Sequence, residues 1–109
     1  MPLEQWSENV VVVRLADDPQ LTEDLTTLEQ MDPDKAANAV LDFQGVRFIN
    51  SSNLAKLLKL RKKMAADSGK LILCNVGDQV WGALMVTGLE KLFTLSDNVA
   101  TALATLQIA

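Results

Sequence analysis

The chain contains no histidine, and its 109 residues include a single cysteine, Cys74. Histidine is the commonest general base and the commonest metal ligand in proteins, so its absence argues against a metal site and against triad chemistry. A lone cysteine cannot form an intrachain disulfide. Its apolar neighbours Leu73 and Val76 predict that Cys74 lies inside a strand as a small buried hydrophobic residue.

Long apolar runs and nucleotide-binding motifs are also missing. No segment approaches the roughly 20 apolar residues that cross a bilayer, so we expect a soluble protein without membrane insertion. The first six residues carry an acidic and a polar residue where a secretory signal needs positive charge before an apolar block, which predicts a cytoplasmic location. No glycine-rich run ends in Lys-Ser or Lys-Thr, and no cofactor is expected.

The charge balance points to a protein partner. The chain has 14 acidic and 10 basic residues, a net charge of −4, whereas nucleic-acid-binding domains usually carry a clustered positive surface. The acidic residues fall mainly in predicted loops and on helix exteriors, without a paired set for acid and base catalysis, so we expect no enzyme. The length fits one domain over residues 1–109.

The first half of the chain predicts a hairpin, a helix and a central strand. Residues 3–6 and 10–15 form the hairpin, and the leucine spacing predicts a helix over residues 20–30. Residues 39–43 read as the central strand, and Gly45 supplies backbone freedom for the turn after it. Asp42 is the one acid in that strand, and we expect a solvated or edge position, with capping of a nearby loop as the alternative.

The second half alternates helices and strands. An amphipathic helix is predicted over residues 53–68, with the lysines at 56, 59, 62 and 63 mostly on its solvent side. A strand over residues 70–76, a third helix that Gly88 ends, a strand over residues 92–95 and a last helix from Val99 follow. Trp81 and Met85 in the third helix are expected in the core or in a partly exposed patch, and only an exposed pair would indicate an interface.

This element order predicts an α/β fold with a mixed, largely parallel sheet, an N-terminal hairpin and about four helices. Short connections between alternating strands and helices favour parallel crossovers.

The candidate functional segment lies where the central strand leads into the second helix. Ser51 and Ser52 lie at the N-terminal end of that helix, where unpaired backbone N–H groups and the helix dipole would stabilise an added phosphate. The alternative is helix capping alone, because asparagine and serine are preferred N-cap residues.

The stretch from the central strand to the second helix carries a recognisable pattern, made of Leu41-Asp42-Phe43, Gly45, Phe48-Ile49 and Asn50-Ser51-Ser52-Asn53-Leu54. This pattern resembles the STAS domain, the family of bacterial anti-sigma-factor antagonists and of related modules in anion transporters and sensory complexes. In that family a strand of leucine, aspartate and a hydrophobic residue precedes a turn glycine, two hydrophobic residues and an Asp-Ser-Ser/Thr-Gly-Leu helix start.

The resemblance implies a single STAS-like domain that switches partners through serine phosphorylation. It places the phosphate acceptor at Ser51, with Ser52 as the fallback. The implied partner is a kinase-like anti-sigma factor or another regulatory protein, and a homodimer is left open. A phosphate adds about 1.5 to 2 negative charges to the contact surface and disfavours binding. The partner-binding surface is expected to comprise Asn50, Ser51, Ser52, Asn53 and Lys56.

Two positions depart from the family pattern. Asn50 replaces the aspartate before the serine, which removes a negative charge, and Asn53 replaces the glycine, which adds a side chain where a kinase needs clearance. These departures motivate an alternative hypothesis, a constitutive STAS adaptor or regulatory subunit of a transporter ATPase or sensory scaffold that works without phosphorylation. Asp17 and Asp18 are expected only to shape a loop.

Overall fold

The computed structural model describes residues 3–34 and 36–108, so residues 1, 2, 35 and 109 of the predicted domain lie outside the described residues. The elements, in chain order, are β1 (Leu3–Ser7), β2 (Val10–Ala16), α1 (Gln20–Gln30), β3 (Asn38–Gly45), α2 (Ser51–Ala66), β4 (Leu71–Cys74), α3 (Asp78–Val86), a 3₁₀ helix (Leu89–Leu92), β5 (Thr94–Ser96) and α4 (Val99–Ile108).

The five strands form one sheet in the order β1-β2-β3-β4-β5. The hairpin pair β1 and β2 is antiparallel, because a two-residue turn joins them, and each later pair is parallel, because a helix carries the chain back. The predicted α/β fold with a mixed, largely parallel sheet is therefore confirmed.

Both faces of the central strands are buried. Alternate residues of β2 point to opposite faces, so Val11 and Val13 join the larger core under α1, α2 and α3. Val12 joins the smaller core on the other face, where α4 supplies Ala102. The unbroken run of valines in β2 follows from this burial on two sides.

The C-terminal end of α1 is closed by a lysine of α2. Lys63 Nζ donates to the carbonyl oxygens of Leu28 and Met31 at 3.1 and 2.7 Å, which satisfies acceptors that a helix end leaves unpaired. Lys63 is therefore partly buried in a structural contact, whereas Lys59 and Lys62 are exposed on the solvent side as expected.

Gly45 is required by close approach and not by the backbone freedom that the sequence suggested. A Cβ atom at this position would lie 2.8 Å from the carbonyl oxygen of Leu15, on the neighbouring strand. Gly88 behaves as predicted: it follows α3 with φ of 74°, in the left-handed region that glycine adopts without a steric cost.

Asp42 is buried, which contradicts the expected solvated or edge position. Its Oδ1 accepts hydrogen bonds from the backbone N–H of Gln44 at 3.0 Å and from Asn75 Nδ2 at 2.9 Å. These bonds compensate for burying a carboxylate in a central strand, and they tie together the segments that follow β3 and β4. The alternative, capping of a nearby loop, matches this arrangement.

Cys74 is fully buried at the end of β4, as predicted. Burial, followed by the charge of Asp42 on the adjacent strand, raises the pKa of its thiol to about 11. The thiol is therefore neutral and packs as a hydrophobic group.

Candidate functional site

The segment between β3 and α2 is held by an acid at the end of β2. Asp17 Oδ1 accepts from the backbone N–H groups of Arg47 and Phe48 at 2.8 and 3.3 Å. Its Oδ2 lies 2.9 Å from Arg47 Nε in a salt bridge. One carboxylate thus fixes two consecutive peptide groups just before the serine pair.

Asn50 is the N-cap of α2. Its Oδ1 accepts from the backbone N–H of Asn53 at 2.9 Å, and Asn53 Oδ1 accepts from the backbone N–H of Asn50 at 3.0 Å. This reciprocal pair is a capping box in which Asn53 takes the place usually held by Glu or Gln. The cap also explains why α2 begins at Ser51, two residues before the predicted start.

Asn53 links the starts of α1 and α2. Its side chain points inward, and its Nδ2 donates to Asp18 Oδ2 at 3.1 Å and to Thr22 Oγ1 at 3.2 Å. Asp18 Oδ1 in turn accepts from the backbone N–H and the hydroxyl of Thr22 at 2.9 and 2.7 Å. The result is a polar network, hereafter the α1–α2 network, made of Asp18, Thr22, Asn50 and Asn53.

Both carboxylates beside this turn are stabilised in their charged form. The side-chain hydrogen bond from Arg47 is the main cause that lowers the pKa of Asp17 below its ordinary value of 3.8. The Thr22 hydroxyl, followed by Asn53, lowers the pKa of Asp18 in the same way. The start of α2 therefore lies beside two ionised acids at neutral pH.

The two serines occupy the first two positions of α2 and are exposed. Within residues 3–34 and 36–108, neither hydroxyl has a hydrogen-bond partner. Their hydroxyls are thus available to another molecule at the N-terminal end of α2, where the first backbone N–H groups have no partner within the helix.

The other residues of the expected partner-binding surface are placed differently. Asn53 is only 2% exposed, so its side chain does not stand in the path of an approaching kinase. Lys56 is half-buried, and its Nζ donates to Thr26 Oγ1 at 3.0 Å. Of the five expected residues, Asn50, Ser51 and Ser52 are exposed at the surface.

The sequence interpretation missed an exposed aromatic residue at this site. Phe48 is 64% exposed, and the Arg47 guanidinium lies 5.8 Å from the centre of its ring. A hollow of about 310 Å³ lies between this pair, the two acids and the helix cap. The sequence did contain a signal for this exposed pair. An aromatic residue and an arginine stand in a predicted turn, and loops lie at the surface and often carry binding residues.

Trp81 and Met85 are both exposed, at 38% and 53%. Val80 and Leu84 are the residues with which α3 enters the core. Of the two expected positions, the core and a partly exposed patch, the structure shows the exposed patch, and the condition set for an interface, an exposed pair, is met.

In the part of the chain that the structure describes, no helix is long and apolar enough to span a bilayer. Over the same residues, no group of three or more His, Cys, Asp or Glu side chains is arranged to hold a metal ion.

Comparisons with known proteins identify the family. The model of the STAS domain matches residues 7–102, which is most of the chain. The anti-sigma F factor antagonist of Paenibacillus polymyxa is 28% identical over 105 residues, which cover 91% of this chain and 88% of that protein. The chain therefore belongs to the STAS domain family.

Solved structures share the fold. The anti-sigma factor antagonist SpoIIAA in its unphosphorylated form has a TM-score of 0.76 and 18% identity and covers 96% of each chain. A sulfate transporter family protein from Wolinella succinogenes has a TM-score of 0.75 and 16% identity, covering 92% of this chain and 84% of its own. The chain thus has an anti-sigma-factor-antagonist-like STAS fold, which a transporter-family protein shares.

Proposed function

We propose that this chain is an anti-sigma-factor antagonist whose binding to a kinase-like anti-sigma factor is controlled by phosphorylation of Ser51. The observation that carries the proposal is the exposed, unpartnered Ser51 hydroxyl at the first position of α2. A kinase needs such a hydroxyl, and the helix dipole favours the added negative charge.

The two departures from the family pattern are compatible with this role. Asn50 still caps the helix through its side-chain oxygen, and asparagine is about as good a cap as aspartate. Asn53 is turned into the α1–α2 network and leaves the space around Ser51 clear. The turn therefore keeps its shape without the aspartate and the glycine.

The proposed partner-binding surface consists of Arg47, Phe48, Asn50, Ser51 and Ser52. Aromatic residues and arginine are enriched at interfaces and often supply most of the binding free energy. The exposed Phe48 ring with the Arg47 guanidinium beside it has this character. Lys56 contributes at the margin, because its ammonium is bound to Thr26.

The proposed switch is electrostatic. In the modification, the Ser51 Oγ attacks the γ-phosphoryl group of ATP, the hydroxyl proton is released and ADP leaves. The new phosphate adds about 1.5 to 2 negative charges at the contact surface, beside the ionised Asp17 and Asp18. A partner surface that matches the unmodified turn then meets a concentrated negative charge and dissociates.

The kinase activity in this proposal belongs to the partner. The chain itself acts as an interaction module and not as an enzyme, as the anti-sigma factor antagonists of its family do. It contains no histidine to serve as a general base. A cytoplasmic location is part of the same proposal.

The test is intact-mass analysis after incubation with ATP and each purified anti-sigma-factor kinase of the same organism. We expect a gain of one phosphate in the wild type and in Ser52→Ala, and none in Ser51→Ala. An unmodified wild type, or undiminished modification of Ser51→Ala, would contradict the assignment.

A constitutive adaptor is the second candidate. It is supported by the fold that the chain shares with the sulfate transporter family protein and by the two asparagines of the capping box. In this case Ser51→Asp would bind a copurifying transporter ATPase as tightly as the wild type. Thr101→Asp is the matched control, because Thr101 is exposed in the first turn of α4 and the acid meets a similar helix dipole there.

A further inference from the structure

The outer face of α3 is apolar. The helix enters the core with Val80 and Leu84, and Trp81, Met85 and Val86 point away from it with exposed fractions of 38%, 53% and 89%. A surface helix normally has charged and polar residues on this side. Contiguous exposed apolar residues on a helix usually mark a contact with another molecule.

Gly82 lies on this face. Viewed down the helix axis, it lies between Met85 and Val86. A Cβ atom there would meet nothing within 4 Å, so the fold itself does not require a glycine. Glycine in a helix interior is unfavourable relative to alanine, because its unfolded backbone is more flexible. Close approach of a second backbone to this face gives the glycine a physical reason.

We propose that two copies of this chain associate by packing α3 against α3 in antiparallel orientation, about a two-fold axis at Gly82. In a two-fold contact, a residue on the axis meets the same residue of the other copy. Two copies of its side chain would share that space, so glycine is favoured there. The row of Trp81 and Met85 then lies beside the gap at Gly82 of the other copy, as ridges pack into grooves.

Charge complementarity supports a second copy as the occupant. Asp78 is the only charged residue of α3 and begins the helix. In the 3₁₀ helix that follows its C-terminal end, Lys91 is exposed, whereas the neighbouring Glu90 is half-buried with its Oε2 shielded from solvent. Antiparallel pairing places the acidic end of each helix toward the basic end of the other copy, twice by symmetry. The rest of the face has no charge that would select a charged partner.

The contact is expected to be weak and independent of the serine switch. A nine-residue helix offers an area at the low end of specific interfaces, so we expect a dimer dissociation constant of about 1 µM to 1 mM. Ser51 lies on α2, outside this face, so the dimer forms whether or not the proposed function is correct.

The test is sedimentation equilibrium of the full chain at concentrations up to about 1 mM. We expect a monomer–dimer equilibrium whose dissociation constant rises at least about tenfold in Gly82→Gln and in Met85→Glu. Ala104→Glu adds the same charge at an exposed position of α4 and should leave the equilibrium unchanged. Circular dichroism of the same samples verifies that each variant is folded.

Two results would overturn the proposal. One is a wild type that stays monomeric up to about 1 mM, including the case in which a different protein binds α3. The other is a dimer that both α3 variants leave unchanged. A Trp6→Phe variant gives a second readout, because Trp81 is then the only tryptophan. Its emission should shift to the blue as the dimer forms, and no shift during dimer formation would place the interface elsewhere.

Discussion

The start of α2 and the outer face of α3 are the two surface regions that the structure singles out, and they are built in opposite ways. The start of α2 has exposed hydroxyls on a turn fixed by hydrogen bonds that Asp17 accepts and by the α1–α2 network. The outer face of α3 exposes large apolar side chains around a glycine. Both helices pack on the same face of the sheet, so packing against the core does not account for their different outer residues.

The comparison separates a contact that can be switched from one that is constitutive. A phosphate changes the charge at Ser51 by about two units, and such a change acts strongly only within roughly a Debye length. An uncharged apolar face depends instead on the area removed from water. We therefore expect substitutions in one region to leave the contact of the other region intact.

The largest expected effect is on partner binding at the start of α2. Phe48→Ala should weaken binding of the purified anti-sigma-factor kinase by about 2 kcal/mol, roughly 30-fold, because an exposed aromatic anchor is removed. Titration calorimetry measures the loss. Val86→Ala truncates an exposed apolar residue in the other region and should bind like the wild type. Equal losses in both variants would erase the distinction between the two regions.

Asn53→Leu should lower the free energy of unfolding by about 2 kcal/mol, because Asp18 Oδ2 and the Asn50 N–H lose their buried partner. Urea unfolding at a protein concentration that keeps the chain monomeric measures this change. Ser52→Ala, one residue earlier and exposed, should stay within about 0.5 kcal/mol of the wild type. An Asn53→Leu variant with the same free energy of unfolding as the wild type would mean that the α1–α2 network does not hold the turn.

A smaller effect of opposite sign is expected on α3. Gly82→Ala should raise the free energy of unfolding of the monomer by about 0.5 to 1 kcal/mol, because the added methyl meets no neighbour and favours the helix. The same urea experiment measures it. Destabilisation would show that Gly82 is needed inside the fold. Gly82 would then give no support for a contact with a second copy.

The smallest expected effect is an acid sensitivity confined to the start of α2. The folded pKa values of Asp17 and Asp18 lie below 3.8, so their contribution to stability is present above that value and is lost as the pH falls through the folded pKa. As the pH falls from about 5 to about 2, the urea midpoint of the double variant Asp17→Asn, Asp18→Asn should decrease less steeply than that of the wild type. Identical profiles would contradict the assigned hydrogen bonds.

The order of strands and helices followed from local signals. Leucine spacing and the residues before Pro33 predict α1 over residues 20–30, which are its bounds in the structure. The apolar run of β2 and the glycine after α3 are equally local features, because each depends on neighbours in the chain. These local signals were enough to predict the fold class.

The site required contacts that no local pattern contains. Asn53 forms a hydrogen bond with Asp18, 35 positions away in the chain. The sequence placed the Asn53 side chain in the space that a kinase needs, whereas the structure shows it buried and bonded between two helices. Periodicity also failed for α3, because a helix that is apolar all round does not indicate which side enters the core. Trp81 and Met85 could therefore not be separated from Val80 and Leu84.

The central claim is that phosphorylation at Ser51 controls partner binding. The most direct measurement is the affinity of the purified anti-sigma-factor kinase for the same preparation before and after stoichiometric phosphorylation, with the site mapped by tandem mass spectrometry. The account predicts a single phosphate on Ser51 and an affinity at least about tenfold lower after modification. An unchanged affinity with Ser51 fully phosphorylated would contradict it.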